Sequence, residues 1–163
     1  MNKFKTYFTV FCFIVYVVTI IMLISYSIET GTQSIQSSNG VSNAVGSVIE
    51  TIAPDKVNTK RPEFASLIRK LIGHFGLFAA NCFFGLISFY LIKTKKFTDI
   101  IIAGSVGVFL SAFTEFLQLI TEDRNSTISD VFINLGGCLF GLIISQIFIL
   151  IGKKIHNRNT IVA

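Results

Sequence analysis

Charge is what this sequence has least of. Only 14% of its 163 residues are Asp, Glu, Lys or Arg, against 52% hydrophobic. A soluble domain of this length carries about a quarter charged residues. No room is left for a soluble domain beside the apolar segments, so residues 1–163 read as a single membrane domain. Cysteine is scarce as well, and Cys12, Cys82 and Cys138 lie in separate apolar stretches. Their scatter excludes a metal motif and their odd number a full disulfide framework. They are expected as small packing residues between helices. The chain also lacks a nucleophile elbow, an H-E-x-x-H sequence and a P-loop, so neither a metal nor a cofactor is expected. The net charge of +5 is no nucleic-acid signature. The basic residues cluster at the ends of apolar segments, where membrane topology explains them.

What is present is a set of long apolar runs: Tyr7–Ile28, Leu71–Ile92, Phe97–Ile120 and Ile128–Ile151. At 1.5 Å per residue each can cross a hydrocarbon core of about 30 Å. The expectation is an all-α membrane protein, a bundle of four transmembrane helices. The first run exceeds the core of a cleaved signal peptide and no A-x-A-like site follows it, which favours a retained helix. Glu29 to Asn43 is rich in Ser, Gln, Gly, Thr and Asn and reads as a loop. Val41, Val45, Val48 and Ile52 then recur at helical spacing before Pro54. They predict an outer amphipathic helix between the first and second crossings, lying at the membrane surface or packed on the bundle. Residues 55–61 form a polar connector. Pro62 suits a first helical position, so the second crossing is expected to begin outside the membrane and run inward through Arg69 and Lys70.

Lysine and arginine set the expected orientation. Lys3, Lys5, Lys93, Lys95, Lys96, Lys153, Lys154 and Arg158 share one side, with only Asp99 against them. On the other side the basic residues are offset by Glu29, Glu50, Asp55, Glu63, Glu122 and Asp123. The positive-inside rule then puts both termini in the cytoplasm, and 29–70 and 121–127 outside.

Each later segment carries a polar or small stripe at helical spacing. The stripes are Lys70, His74, Asn81, Gly85 and Ser88; then Gly104, Gly107, Ser111, Glu115 and Gln118; then Asp130, Asn134, Gly137, Gly141 and Ser145. In lipid such faces turn inward, because small residues pack and polar ones need partners. A carboxylate at mid-bilayer costs about 2.5–3.5 kcal/mol, and less near the interface. Glu115 lies five positions before Ile120, about 7.5 Å deep; Asp130 and His74 lie shallower at the same end. Arg124, in the turn between the two acids, is the expected counter-ion, with His74 and Lys70 as further candidates. The cluster Lys70, His74, Glu115, Gln118, Arg124, Asp130 and Asn134 is therefore either a binding site or an ion-pair lock on the helix hairpin. Asn134 reads as a helix–helix hydrogen bond.

The pattern E-x-x-Q, then Arg, then D-x-x-x-N-x-x-G, carried by Glu115, Gln118, Arg124, Asp130, Asn134 and Gly137, resembles the VanZ-like membrane proteins. Arg69-Lys70 with His74-Phe75 is similar to that family's basic pair and His-Phe motif. Tyr26-Ser27 to Gly31, with Ser34 and Ser38, is similar to its serine-rich stretch after the first helix. Thr114, Leu117 and Phe78 stand where some members have Asp, His and Tyr. The resemblance implies a bacterial plasma-membrane protein of the cell envelope, in a family named for glycopeptide (teicoplanin) resistance. It implies no established reaction.

Two functions follow as expectations. One is a non-enzymatic envelope protein that binds a membrane lipid, a lipid-linked wall precursor or a glycopeptide antibiotic at the outer leaflet, with the amphipathic segment as a lid. The other is an intramembrane enzyme on a lipid head group, with Glu115, His74 and Asp130 as catalytic candidates and Arg124 clamping a phosphate. A transporter is disfavoured, since four helices show no internal repeat. The oligomeric state is not legible.

Overall fold

The apolar runs fold as helices with their polar stripes inward and their large side chains outward. In this computed structural model the described residues are 3–52, 62–92, 96–123 and 127–161. The elements are α1 (Lys3–Ile28), α2 (Gly31–Ile52), α3 (Pro62–Ile68), a π-helical segment (Arg69–Gly76), α4 (Leu77–Leu91), α5 (Lys96–Ile120) and α6 (Ile128–Ile161). Four stretches are long and apolar enough to cross a membrane: Lys3–Ile28, Ser66–Leu91, Phe97–Ile120 and Ile128–Ile155. The second starts ahead of the expected Leu71, and Pro62 opens the continuous helical path leading into it. The connector 55–61, the lysines at 93 and 95, and Arg124 lie outside the described residues.

The expected inversion of polarity holds along the bundle. Asn81, Ser88, Ser111, Asn134 and Ser145 are each 0% exposed. Phe109, Phe132, Leu139 and Phe148 point away from the protein, more than half exposed, the arrangement that lipid favours.

Helix α4 is the hub, packed against α6, α1 and α5. Small residues permit that approach. A side chain at Gly137 or Gly141 of α6 would run into the backbone carbonyl of Phe75 or Ala79. The G-x-x-x-G pair thus seats α6 on the second crossing, as close helix contact requires. Gly107 of α5 faces the sulfurs of Cys82 and Cys138, which a Cβ there would meet at 2.6 and 2.7 Å. All three cysteines are free and buried, consistent with packing. Two apolar layers fill the rest, one around Cys12, Leu86 and Ile149 and the other around Leu23, Phe78 and Leu110.

The loop expected over 29–43 is helical instead, from Gly31 onward. Its start is fixed by reciprocal capping between Thr30 and Gln33. The Thr30 amide donates to Gln33 Oε1 at 3.0 Å and the Gln33 amide to Thr30 Oγ1 at 3.4 Å. This is the T-x-x-Q form of the capping box, and burial of Gly31, Ser34, Ser42 and Gly46 adds to it against the weak helix propensity of the serines that follow. Gly31 is pressed against the Asp123 backbone and donates its amide to Glu122 O at 3.1 Å. Thr121 Oγ1 reaches Ser27 O at 3.4 Å. The end of α1, the start of α2 and the turn after α5 are thereby tied together. The buried face of α2 is Gly31, Ser34, Ser42 and Gly46, and the helix packs on α3. Val41, Val48 and Ile52 are exposed. The amphipathic helix exists, but its small polar face meets the protein and its apolar face looks away.

Candidate functional site

The segment Arg69–Gly76 does not wind as an α-helix; its i→i+5 turns form a π-helix. Such wide turns inside helices recur at functional sites. Here the widened stretch carries Arg69, Lys70 and His74 and turns them in different directions. Lys70 reaches α6, where its Nζ is 3.3 Å from Asp130 Oδ1. His74 is buried against α5 and α6.

Three side chains form a relay. His74 Nδ1 lies 3.0 Å from Asn134 Oδ1. Asn134 Nδ2 donates to Glu115 Oε1 at 3.1 Å. With its amide nitrogen toward Glu115, Asn134 turns its amide oxygen to His74. His74 therefore donates from Nδ1. Its Nδ1 is also 3.7 Å from Glu115 Oε1, too long for a hydrogen bond. Each partner stands on a different element, so the relay joins the second, third and fourth crossings.

Asp130 belongs to a different arrangement. It sits in the first turn of α6, where a negative charge complements the helix dipole. Thr127 Oγ1 donates to Asp130 Oδ2 at 2.7 Å, and Lys70 supplies the opposite charge. The helix start, Thr127 and Lys70 account for this charge, while its Oδ1 has no hydrogen-bond partner among the described residues. Glu115, five residues inside the end of α5, has no such capping or dipole reason to be there.

A cavity of about 170 Å³ opens between α1, α2, the π-helical segment and α5. Met22, Leu23, Ile72, Leu77 and Phe78 make its apolar wall. Glu29, Ser34, Ser37, Ser38 and Arg69 line it together with His74, Thr114 and Gln118. Of the described members of the expected polar cluster, only His74 and Gln118 line this space. Lys70, Glu115, Asp130 and Asn134 stand behind it and hold the helices. His74 is the one residue in both groups. The expectation that Arg124 neutralises both acids lies outside the described residues; among those described, Lys70 stands 3.3 Å from Asp130 and His74 3.7 Å from Glu115.

The serines and Arg69 were reached in the sequence only through the family likeness, not through the polar stripes. A direct signal existed in the T-x-x-Q capping box, which makes 31–52 a helix and gives Ser34, Ser38 and Val41 one face. Among the described residues no group of three or more His, Cys, Asp or Glu could hold a metal ion.

Four membrane-crossing helices around an inward polar relay, with a mostly apolar cavity at one end, define a multi-pass helical membrane protein. The family model for VanZ/LLP1 matches residues 11–149, and the chain belongs to that family. No curated protein and no solved structure matches it.

Proposed function

We propose that this is a bacterial plasma-membrane protein that binds a membrane lipid or a lipid-linked wall precursor at the outer leaflet, and that it contributes through this binding to glycopeptide (teicoplanin) resistance. The observation that carries the reading is the cavity, mostly apolar in its lining but including Arg69, His74 and Gln118 at that end of the bundle. One molecule with a chain and a polar head satisfies both kinds of lining; a purely polar solute would leave the apolar side chains wet. Size separates the ligands. The cavity has about 170 Å³. That suits a head group or the first methylenes of a chain. A glycopeptide, a peptide bearing sugars, is far larger. Lysine and arginine at the far end of the bundle support cytoplasmic termini, which sets the cavity toward the cell surface. The Glu115–Asn134–His74 relay keeps the cavity's wall in place.

Deleting the gene, and separately expressing Glu115→Gln and Asp130→Asn, tests this by teicoplanin susceptibility at matched membrane levels of protein. Deletion is expected to increase susceptibility and Glu115→Gln to follow it, with Asp130→Asn closer to wild type. If susceptibility never changes, even on deletion, the resistance role is wrong.

A second reading, an enzyme acting on a lipid head group, draws on one observation: His74 both lines the cavity and is oriented from behind by Asn134 and Glu115. That is how a general base is commonly held. Lipid extracts from overexpressing and deleted cells decide it. An unchanged lipid profile, with purified protein inert on labelled lipids, removes this reading and leaves the binding one.

A further inference from the structure

The cavity contains one cation that the relay does not use. Arg69 directly precedes Lys70, yet the wide turn sends the two apart: Lys70 pairs with Asp130, whereas Arg69 lines the cavity. The Arg69 Nε is buried and has no hydrogen-bond partner among the described residues. A guanidinium cannot relieve such burial by losing its proton. It needs an acceptor, and its planar fork matches phosphate oxygens two at a time. No described carboxylate bonds that Nε: Asp130 faces Lys70 and Thr127, with its own Oδ1 lacking a hydrogen-bond partner, and Glu115 accepts from Asn134. Glu29 lies on the cavity wall and accepts the Ser37 hydroxyl at 3.4 Å. A hydroxyl or ammonium on a head group would find an acceptor in it beside Arg69.

We infer that the cavity recognises the phosphodiester head group of a membrane lipid, with Arg69 holding the phosphate and Glu29 accepting a hydrogen bond from a head-group hydroxyl or ammonium. The apolar wall of Met22, Leu23, Leu77 and Phe78 takes the methylenes next to the head. This inference rests on the lipid-binding reading and names its ligand chemistry. It also gives the first crossing and α2 a reason to meet the second where they do.

Purified full-length protein in detergent, measured by native mass spectrometry, separates the possibilities. The probes are phosphatidylglycerol, diacylglycerol without phosphate, and inorganic phosphate as a competitor. Wild type is expected to retain phosphatidylglycerol at least about tenfold better than diacylglycerol, the ratio that a charge-assisted hydrogen bond supplies. Arg69→Gln is expected to lose that preference while circular dichroism keeps its helicity, and Arg69→Lys, a charge without the fork, to fall between. If Arg69→Gln does not fold, the wild-type ratio still decides. Equal retention of both lipids by wild type overturns the phosphate assignment and leaves amphiphile binding standing. Retention of neither removes both. A preference that survives in folded Arg69→Gln overturns the role of Arg69. Displacement of the lipid by millimolar phosphate makes free phosphate the ligand and overturns the lipid assignment.

Discussion

His74 joins the two halves of the site: its Nδ1 is tied to Asn134 behind it, and the ring forms part of the cavity wall before it. The residues behind are unequal. Asn134 is 0% exposed and serves two partners at once. Replacing it by leucine leaves a buried carboxylate and a buried ring N–H without their shared partner. An unsatisfied buried group costs about 1–3 kcal/mol. Asp130→Asn loses the charge opposite Lys70, whose side chain is 36% exposed, but asparagine can still accept from Thr127 and still suits a helix start. Asn134→Leu should therefore destabilise the protein clearly more than Asp130→Asn. Unfolding of both variants in mixed micelles of rising denaturing detergent would compare them; equal losses would place Asp130 inside the relay. Much of this was legible in the sequence. Polar residues spaced along one face of an apolar helix have few solutions in lipid, so Glu115 and Asn134 had to meet something polar. Which of them would meet was not legible. That depends on how far the helices rotate, and the wide turn at 69–76 decides it.

At the scale of elements, the crossings follow from apolar runs of sufficient length, and the seat of α6 on the second crossing follows from Gly137 and Gly141. A Cβ at Gly137 would strike the carbonyl of Phe75. Gly137→Ala should cost about 1–3 kcal/mol, the usual penalty for overpacking. Gly40, with nothing within 4 Å of its would-be Cβ, gives the opposite sign: Gly40→Ala should stabilise α2 by about 0.5–1 kcal/mol. Thermal melts of the two variants check both, and two losses of equal size would mean that α2 is packed in the membrane-embedded protein where it is open here. Helix α2 was half legible. The valines at 41, 45 and 48 marked its second half. The polar first half read as a loop because serine and asparagine favour loops, and only the Thr30–Gln33 capping pair pointed the other way. The π-helical turn left no periodic signal, since one widened turn barely shifts a pattern of apolar residues.

For the whole molecule, the large exposed side chains and the inward polar stripes agree on a bundle built for lipid. Its orientation rests on lysine and arginine. Cysteine labelling in intact cells tests it on a background with Cys12, Cys82 and Cys138 replaced by alanine. Ser37→Cys should react with a membrane-impermeant reagent added outside, and a cysteine at Lys154 should not. The reverse pattern would invert the topology and place the cavity on the cytoplasmic side. The central claim is that the cavity beside His74 and Arg69 is where a lipid head group binds. Photo-crosslinking with a phospholipid that carries its diazirine beside the head group tests it most directly. Adducts concentrated on peptides spanning 26–38 and 69–78 are the expected result. Adducts confined to the outward faces of α5 and α6, around Phe109, Leu139 and Phe148, would contradict the account.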